Sequence, residues 1–276
     1  MAGLMTADDL GQLHAAPPGK RIPYGDDALQ FGELSLPPGT GPHPVVVNIH
    51  GGCWLAEYDI GHTRALAHAL TGNGFAVWNV EYRRVGNPGG GWPGTFTDVS
   101  RAVEHLRRLA GPCSLDLSRI VLMGHSAGGQ LALWLAGRSC VPRSSEVYMR
   151  EPLHVCGVVA LAPATELPEL HSRAIFDGVV GKLIGGSPVE MPHRYAAVTP
   201  AQLVPLGVPQ ILVVGQHDDF WGWNAPAYLE KARAAGERQI RLEIVEGAGH
   251  FEVIAPQTDA WEHVVSAVRE VLAGAK

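Results

Sequence analysis

The sequence predicts an α/β fold in which a mostly parallel, twisted sheet is covered on both faces by helices. Two observations lead to this prediction. Short apolar runs alternate with helical patterns along most of the chain, and one stretch interrupts that alternation. With 276 residues, we expect a single domain over residues 1–276 rather than two small ones.

The apolar runs are rich in Val and Ile and predict buried strands at residues 45–49, 76–80, 120–123, 155–161, 210–215 and 241–245. Helical patterns follow at residues 60–70, 97–109, 129–138, 225–235 and 258–272. Because such alternation builds βαβ units, the sheet is expected to be mostly parallel. The period-2 segment 29–36 predicts an antiparallel edge strand that leads into the sheet.

Residues 163–209 break the alternation, since they contain several prolines and glycines and show no long helical pattern. An insertion after a strand lies at the carboxyl edge of an open α/β sheet, where ligands bind. We therefore predict a small, irregular cap insertion over residues 163–209. The alternative is a long surface connection without function.

Composition excludes several classes of function. A net charge of −6 and the absence of any basic run argue against nucleic-acid binding. Residues 1–10 lack the basic and apolar regions of a signal peptide, and no apolar stretch is long enough for a membrane span, so we expect a cytoplasmic protein without membrane contact. The four cysteines, at positions 53, 113, 140 and 156, are expected to be reduced core thiols. The sequence leaves open a monomer or a homodimer.

The segment Gly124-His125-Ser126-Ala127-Gly128 joins a predicted strand directly to a predicted helix. A turn this sharp forces its central serine into a strained backbone conformation, and glycines two positions to either side remove steric collisions. We identify Ser126 as a candidate nucleophile. Its position at a helix N-terminus makes the Ala127 N–H a candidate donor to an oxyanion.

A second oxyanion donor is expected from His50-Gly51-Gly52-Cys53-Trp54, which follows the strand at 45–49. Glycines let a backbone turn its N–H groups toward developing negative charge, so Gly52 and Cys53 are the candidate donors. The alternative is a plain turn after a strand. We expect His50 to brace this loop rather than to act as a base.

A serine nucleophile needs a histidine base and a carboxylate that orients it. His250 follows the strand at 241–245, and Asp218 and Asp219 follow the strand at 210–215, at the edge where Ser126 is expected. We predict His250 as the base and Asp218 as the acid, with Asp219 as its rival; His217 comes too early in the chain. No metal-ligand spacing such as H-E-x-x-H occurs, so neither a metal nor another cofactor is expected.

With these motifs, the chain resembles the α/β-hydrolase superfamily from about Tyr24 to the last helix. The motifs at His50–Trp54, 124–129 and 249–251 are similar to those of the HGGxW esterases, a group that includes the arylformamidases (kynurenine formamidases). The resemblance implies the α/β-hydrolase fold, Asp218 as the acid three residues after Gly215, and Trp54 packed beside the oxyanion loop. Cys53 stands where animal arylformamidases usually have Tyr, so the resemblance does not carry the substrate over.

Aromatic side chains in predicted loops are the candidate substrate-binding residues, namely Trp54, Trp92, Phe220, Trp221 and Trp223. The alternative is that they pack the cap onto the sheet. We predict a serine hydrolase that cleaves small uncharged or aromatic carboxylic esters through an acyl-Ser126 intermediate. Its small-molecule substrate is an ester or, as an arylformamidase-type alternative, a formamide; a third hypothesis is a binding protein without chemistry on this fold.

Overall fold

The computed structural model describes residues 3–13 and 16–274, and within them eight strands form one sheet in the order β1-β2-β4-β3-β5-β6-β7-β8. His14, a loop residue in the predictions, lies outside the described residues. The strands are β1 (Lys20–Pro23), β2 (Phe31–Ser35), β3 (His43–Ile49), β4 (Ala76–Val80), β5 (Leu115–His125), β6 (Gly157–Leu161), β7 (Gln210–Gly215) and β8 (Ile240–Val245). From β4 to β8 across the sheet all neighbours are parallel, whereas β2 is antiparallel to both β1 and β4.

The helices are α1 (Leu10–Leu13), α2 (Arg64–Gly72), α3 (Gly94–Leu109), α4 (Ala127–Ala136), α5 (Leu167–Ser172), α6 (Ile175–Ile184), α7 (Pro192–Val198), α8 (Pro200–Leu203), α9 (Asn224–Ala234) and α10 (Ala260–Ala273). Short 3₁₀ turns occur at Ala7–Asp9, Ile60–Thr63, Arg138–Cys140 and Glu252–Ile254. The predicted strands and long helices are found within a few residues of their expected bounds. None of the described helices is long and apolar enough to cross a membrane.

Successive side chains of the central strands point to opposite faces of the sheet and pack in two apolar cores, one on each face. In β3, Val45, Val47 and Ile49 join the core formed with α3, α4, α9 and the cap, whereas Val46 joins the core formed with α1, α2 and α10. Helices therefore cover both faces, as predicted. Because the central strands are parallel, their carboxyl ends lie at one edge, and that edge receives the loops of the site.

The prediction of an edge strand at 29–36 is wrong in one respect. The segment forms β2, which pairs on both sides, and β1 is the true edge of the sheet, with Lys20 opposite Leu34. The sequence of β1 gives no strand pattern because its side chains are exposed or half-buried on both faces. A solvated edge strand needs no apolar alternation.

The stretch 163–209 is less irregular than predicted, since it contains the four short helices α5 to α8. Its role as a cap stays a prediction. The longest has ten residues and includes left-handed backbone at Phe176 and Asp177. Prolines lie in the first turn of α5, α7 and α8, where the missing N–H is no loss. Three of the prolines that suggested an irregular stretch therefore lie where helices begin.

The expectation of four core thiols holds only in part. All four cysteines are free, and Cys53 and Cys156 are buried, but Cys140 is exposed and Cys113 is half-buried. Cys140 follows α4 in a short turn at the surface, where an adjacent apolar sequence did not imply burial.

Candidate active site

The nucleophile elbow has the strained geometry that the sequence predicts. Ser126 has φ 56° and ψ −117° between the end of β5 and the start of α4. A Cβ atom at Gly124 would lie 2.2 Å from the Gly128 carbonyl oxygen, and a Cβ atom at Gly128 would lie 2.1 Å from the Ile49 carbonyl oxygen. Both positions therefore require glycine, because any side chain would overlap backbone that cannot move.

The structure brings Asp218 and His250 together. Asp218 Oδ2 accepts a hydrogen bond from His250 Nδ1 over 3.0 Å, and both side chains are buried. Asp218 Oδ1 accepts the backbone N–H groups of Phe220 and Trp221 over 2.9 and 3.0 Å. This carboxylate thus fixes the tautomer of His250 with one oxygen and its own loop with the other. Asp219 is exposed.

The hydroxyl of Ser126 is held by an indole. Trp221 Nε1 donates to Ser126 Oγ over 2.6 Å, and the Trp221 ring lies 6.3 Å from the His250 ring. Between the described residues no hydrogen bond joins Ser126 to His250. Such bonds commonly tighten only when substrate binds, and a rotation of the Ser126 side chain about Cα–Cβ changes its partner.

Residues 50–54, which we call the oxyanion loop after their predicted role, lie beside Ser126 with left-handed backbone at Gly52 (φ 101°) and Cys53 (φ 51°). A Cβ atom at Gly52 would lie 2.2 Å from Tyr58 Cβ, so the close packing of this turn requires glycine. No group in the described part of the chain accepts a hydrogen bond from the amides of Gly52, Cys53 or Ala127. These N–H groups are therefore available to a ligand at the elbow.

A buried polar cluster packs against the oxyanion loop. His50 belongs to this cluster, in agreement with the expectation that it braces the loop. His50 Nε2 lies 3.0 Å from Glu81 Oε1, and the His50 ring stacks on Tyr82 with centroids 4.5 Å apart. Glu81 also pairs with the buried Arg84. Burial opposes ionisation of Glu81, but the neighbouring His50 and Arg84 outweigh it and lower the pKa of Glu81 to about 2.

His125, within the elbow, connects the nucleophile to the loop of the base. Its Nε2–H donates to the carbonyl oxygen of His250 over 2.9 Å, and the two rings lie 4.6 Å apart. Burial, and then the proximity of His250, lower the pKa of His125 well below its usual value. His125 is therefore neutral near pH 7 and holds the backbone of the predicted base.

A pocket of about 110 Å³ opens onto Ser126. It is lined by Ala7, Leu10, Gly52, Cys53, Tyr58, His62, His125, Ser126, Phe176, Phe220, Trp221, His250 and Phe251. Phe176 and Phe220 stack with centroids 6.4 Å apart and are 41% and 45% exposed, so they form the mouth. Among residues 3–13 and 16–274, no Asp, Glu, Lys or Arg side chain lines this pocket.

Three of the five predicted substrate-binding aromatic residues do not line this pocket, so those predictions are wrong. Trp54 is fully buried in the core and donates to Gln130 Oε1 over 3.1 Å. Trp92 packs on Phe96 and donates to Glu146, while Trp223 stacks under the guanidinium of Arg173. These side chains pack the cap and helices onto the sheet, which was the alternative. Phe220 and Trp221 do line the pocket.

Other lining residues escaped the sequence analysis, namely Ala7, Leu10, Tyr58, His62 and Phe176. Tyr58 and His62 follow the His50–Trp54 motif in the connection after β3, and the other three lie outside the strand-end loops, so no local pattern marks any of them. His62 lines the pocket from the 3₁₀ turn after the oxyanion loop.

The profile of the BD-FAE family matches residues 33–228. The chain belongs to the BD-FAE family. It is 26% identical over 242 residues to esterase LipC of Mycobacterium tuberculosis, and 29% identical over 190 residues to versiconal hemiacetal acetate esterase of Dothistroma septosporum. These alignments cover 84% and 65% of this chain, and the chain spans only 59% and 55% of those two relatives.

Solved structures of esterases share the fold. Esterase B of Lactobacillus rhamnosis, inhibited by a tributyrin phosphonate, superposes with a TM-score of 0.82 at 22% identity, covering 98% of this chain and 91% of that one. Est2 of Thermogutta terrifontis, with propionate bound, gives a TM-score of 0.74 at 20% identity, covering 93% and 94%. They confirm the predicted α/β-hydrolase fold. The relatives named here are esterases, so the arylformamidase resemblance stays a prediction.

Proposed function

We propose that this protein hydrolyses esters of short, uncharged carboxylic acids through an acyl-Ser126 intermediate. The observation that carries the proposal is the bond of 3.0 Å between His250 Nδ1 and Asp218 Oδ2, beside a serine in a strained elbow. A nucleophile, an acid and a base, which follow β5, β7 and β8 in this chain order at one edge of the sheet, are the parts that acyl transfer requires.

In the proposed mechanism, His250 Nε2 takes the proton of Ser126 while Oγ attacks the ester carbonyl carbon. The negative charge that develops on the carbonyl oxygen is bound by the amides of Ala127 and of Gly52 or Cys53, each donor contributing about 10²–10³ in rate. His250 then protonates the leaving alcohol, and Asp218 stabilises the imidazolium between these steps. Water, activated by His250, releases the acid by the same route in reverse.

The pocket supports a small, uncharged acyl group. Its volume of about 110 Å³ is well below that of sites for drug-sized ligands, and its wall lacks carboxylate, ammonium and guanidinium groups. The leaving group must lie near His250 to be protonated, and the Phe220 ring lies 4.9 Å from the His250 ring. An aromatic or apolar alcohol would therefore leave along the mouth formed by Phe176 and Phe220.

The comparisons support the ester class. Both curated relatives are named esterases, one of them an acetate esterase, and Est2 was solved with propionate and with butyrate. No feature of the site favours a formamide, so we place ester hydrolysis first.

The test is Ser126→Ala beside Ser118→Ala, an exposed serine on the same strand, β5. We expect Ser126→Ala to lower kcat on p-nitrophenyl acetate by up to about 10⁶ and to abolish labelling by a fluorophosphonate, because the acyl acceptor is gone. Ser118→Ala should keep both. Full esterase activity in Ser126→Ala would overturn the proposal, as would absence of ester hydrolysis in the unchanged protein.

A further inference from the structure

The N-terminal segment, residues 3–13, contributes to the pocket although it lies far from the motifs in sequence. It begins with an extended stretch, forms a 3₁₀ turn at Ala7–Asp9 and continues into α1. Thr6 closes the start of the turn, since its backbone N–H and hydroxyl donate to Asp9 Oδ2 over 2.8 and 2.9 Å. The segment packs against the 3₁₀ turn Ile60–Thr63 and against α2.

A buried carboxylate ties this segment to the loop of the base. Met5 N–H donates to Glu252 Oε1 over 2.5 Å, and Gly249 N–H donates to Glu252 Oε2 over 2.9 Å. Glu252 is only 8% exposed, so the two bonds are shielded from water. The N-terminal segment is therefore held at a defined position next to His250.

Two leucines of α1 are buried in the same core but differ in one respect. Leu10 lines the pocket at Ser126, whereas Leu13 packs only among core residues. Leu10 is 8% exposed, so it lies in the closed part of the pocket rather than at the mouth formed by Phe176 and Phe220. Both leucines precede residue 33, where the match to the family profile begins.

We propose that Leu10 is a specificity-determining residue that closes the inner end of the pocket and limits the length of the acyl group. The inference rests on the proposed ester hydrolysis at Ser126. The leaving group departs beside His250 and Phe220, at the exposed mouth, so the acyl group occupies the enclosed part. There the Leu10 side chain meets the end of the acyl chain, and removing it extends the space by the volume of an isobutyl group less a methyl.

The experiment measures kcat/KM on the p-nitrophenyl esters of acetate, butyrate, hexanoate and octanoate. We expect Leu10→Ala to raise the ratio of hexanoate to acetate at least about tenfold, since each methylene accommodated by an apolar pocket discriminates by about tenfold or more. Leu10→Phe should lower the same ratio. Leu10→Val, which removes one methylene, should shift it in the direction of Leu10→Ala and serves where the larger truncation does not fold.

Leu13→Ala is the matched control, because it removes the same atoms from the same helix and core without opening the pocket. It should lower the melting temperature as Leu10→Ala does and leave the chain-length ratio within about twofold of the unchanged protein. Equal ratios in the folded Leu10 variants and the unchanged protein would overturn the proposal, as would an equal shift in Leu13→Ala. If the unchanged protein hydrolysed none of these esters, the function proposed for Ser126 would be overturned instead.

Discussion

The groups proposed to perform the reaction follow four strands of one sheet, β3, β5, β7 and β8, whereas part of the pocket wall comes from segments outside these strand ends. Ser126, Asp218 and His250 meet because parallel strands bring their carboxyl ends to one edge. Leu10 comes from the N-terminal segment and Phe176 from the cap. On our proposals, the strand ends determine the reaction, and the segments outside them contribute to the choice of substrate.

After Ser126→Ala, the largest expected effect concerns the two adjacent carboxylates at the carboxyl end of β7, one of the four strand ends that we call the catalytic edge. Asp218→Asn should lower kcat by about 10⁴, because an amide favours the wrong tautomer of His250. Asp219→Asn is the matched control and should keep the activity within about threefold, since Asp219 is exposed. The measurement is kcat of both variants on one short-chain ester by steady-state kinetics. An equal loss of kcat in both variants would contradict the assignment of Asp218 as the acid.

The next effect concerns the polar cluster behind the oxyanion loop. Glu81→Gln should lower the free energy of unfolding at pH 7 by about 3–5 kcal/mol, because it leaves the buried Arg84 without its counter-charge. Glu33→Gln is the comparison, since its partner Arg64 is partly exposed, and it should cost about 1 kcal/mol. Urea unfolding measures both; equal losses would show that burial of the pair does not matter.

Glu81 also predicts a pH dependence of stability. Its pKa is about 2 in the folded protein and 4.5 by its ordinary value, so folding favours the ionised form. The contribution is complete above pH 4.5 and is lost as the pH falls from 4.5 towards 2, amounting to about 3 kcal/mol. In urea titrations between pH 4.5 and 2, the free energy of unfolding should fall less with decreasing pH in Glu81→Gln than in the unchanged protein. Parallel plots of the free energy of unfolding against pH for the two proteins would disprove the linkage.

A smaller effect tests the pocket wall. Phe220→Ala should raise KM for p-nitrophenyl acetate about fivefold and KM for ethyl acetate much less, because the ring at the mouth contacts an aromatic leaving group. Trp223→Ala, three positions along the chain and outside the pocket, should leave both values within about twofold. A reversed order of the two variants would restore Trp223 as a substrate-binding residue.

The smallest expected effect on activity is that of replacing the Cys53 side chain, since only the backbone amide of this residue is proposed to bind the oxyanion. Burial, with Glu57 nearby, raises the pKa of Cys53 to about 12, so its thiol stays protonated and unreactive at pH 8. Iodoacetamide should alkylate the exposed Cys140 well before Cys53, as peptide mass mapping can show. Cys53→Ala should keep kcat/KM within about threefold, because only the amide of this residue is proposed to act.

The catalytic edge could be predicted from the sequence because its constraints are local. The elbow needs glycine on both sides of Ser126, the acid and base follow apolar runs, and chain order fixes which loop is which. Even the choice of Asp218 over Asp219, made on the family pattern, agrees with the geometry at His250. Local sequence suffices where backbone geometry dictates the residue.

The pocket wall could not be predicted in the same way, because its contacts are long-range. Trp54 is in a loop, yet left-handed backbone at this residue turns its indole into the core, where it bonds to Gln130. Leu10 belongs to a helix of only four residues, too short to show a 3.6-residue period. A position in a predicted loop indicates that a side chain is near the surface, but it does not indicate which cavity the side chain lines.

The two oxygens of Asp218 have a consequence for how enzymes on this scaffold diversify. One oxygen holds His250 and the other holds the backbone of Phe220 and Trp221, so drift in that aromatic loop disturbs the base as well as the alcohol it admits. The side chain of Leu10 is apolar and lies in the core, so its substitution costs stability but breaks none of the hydrogen bonds of Asp218. If Leu10 limits the acyl group as proposed, the acid can change through the N-terminal segment without altering the contacts of the base, whereas a change of alcohol through the loop of Phe220 also affects His250.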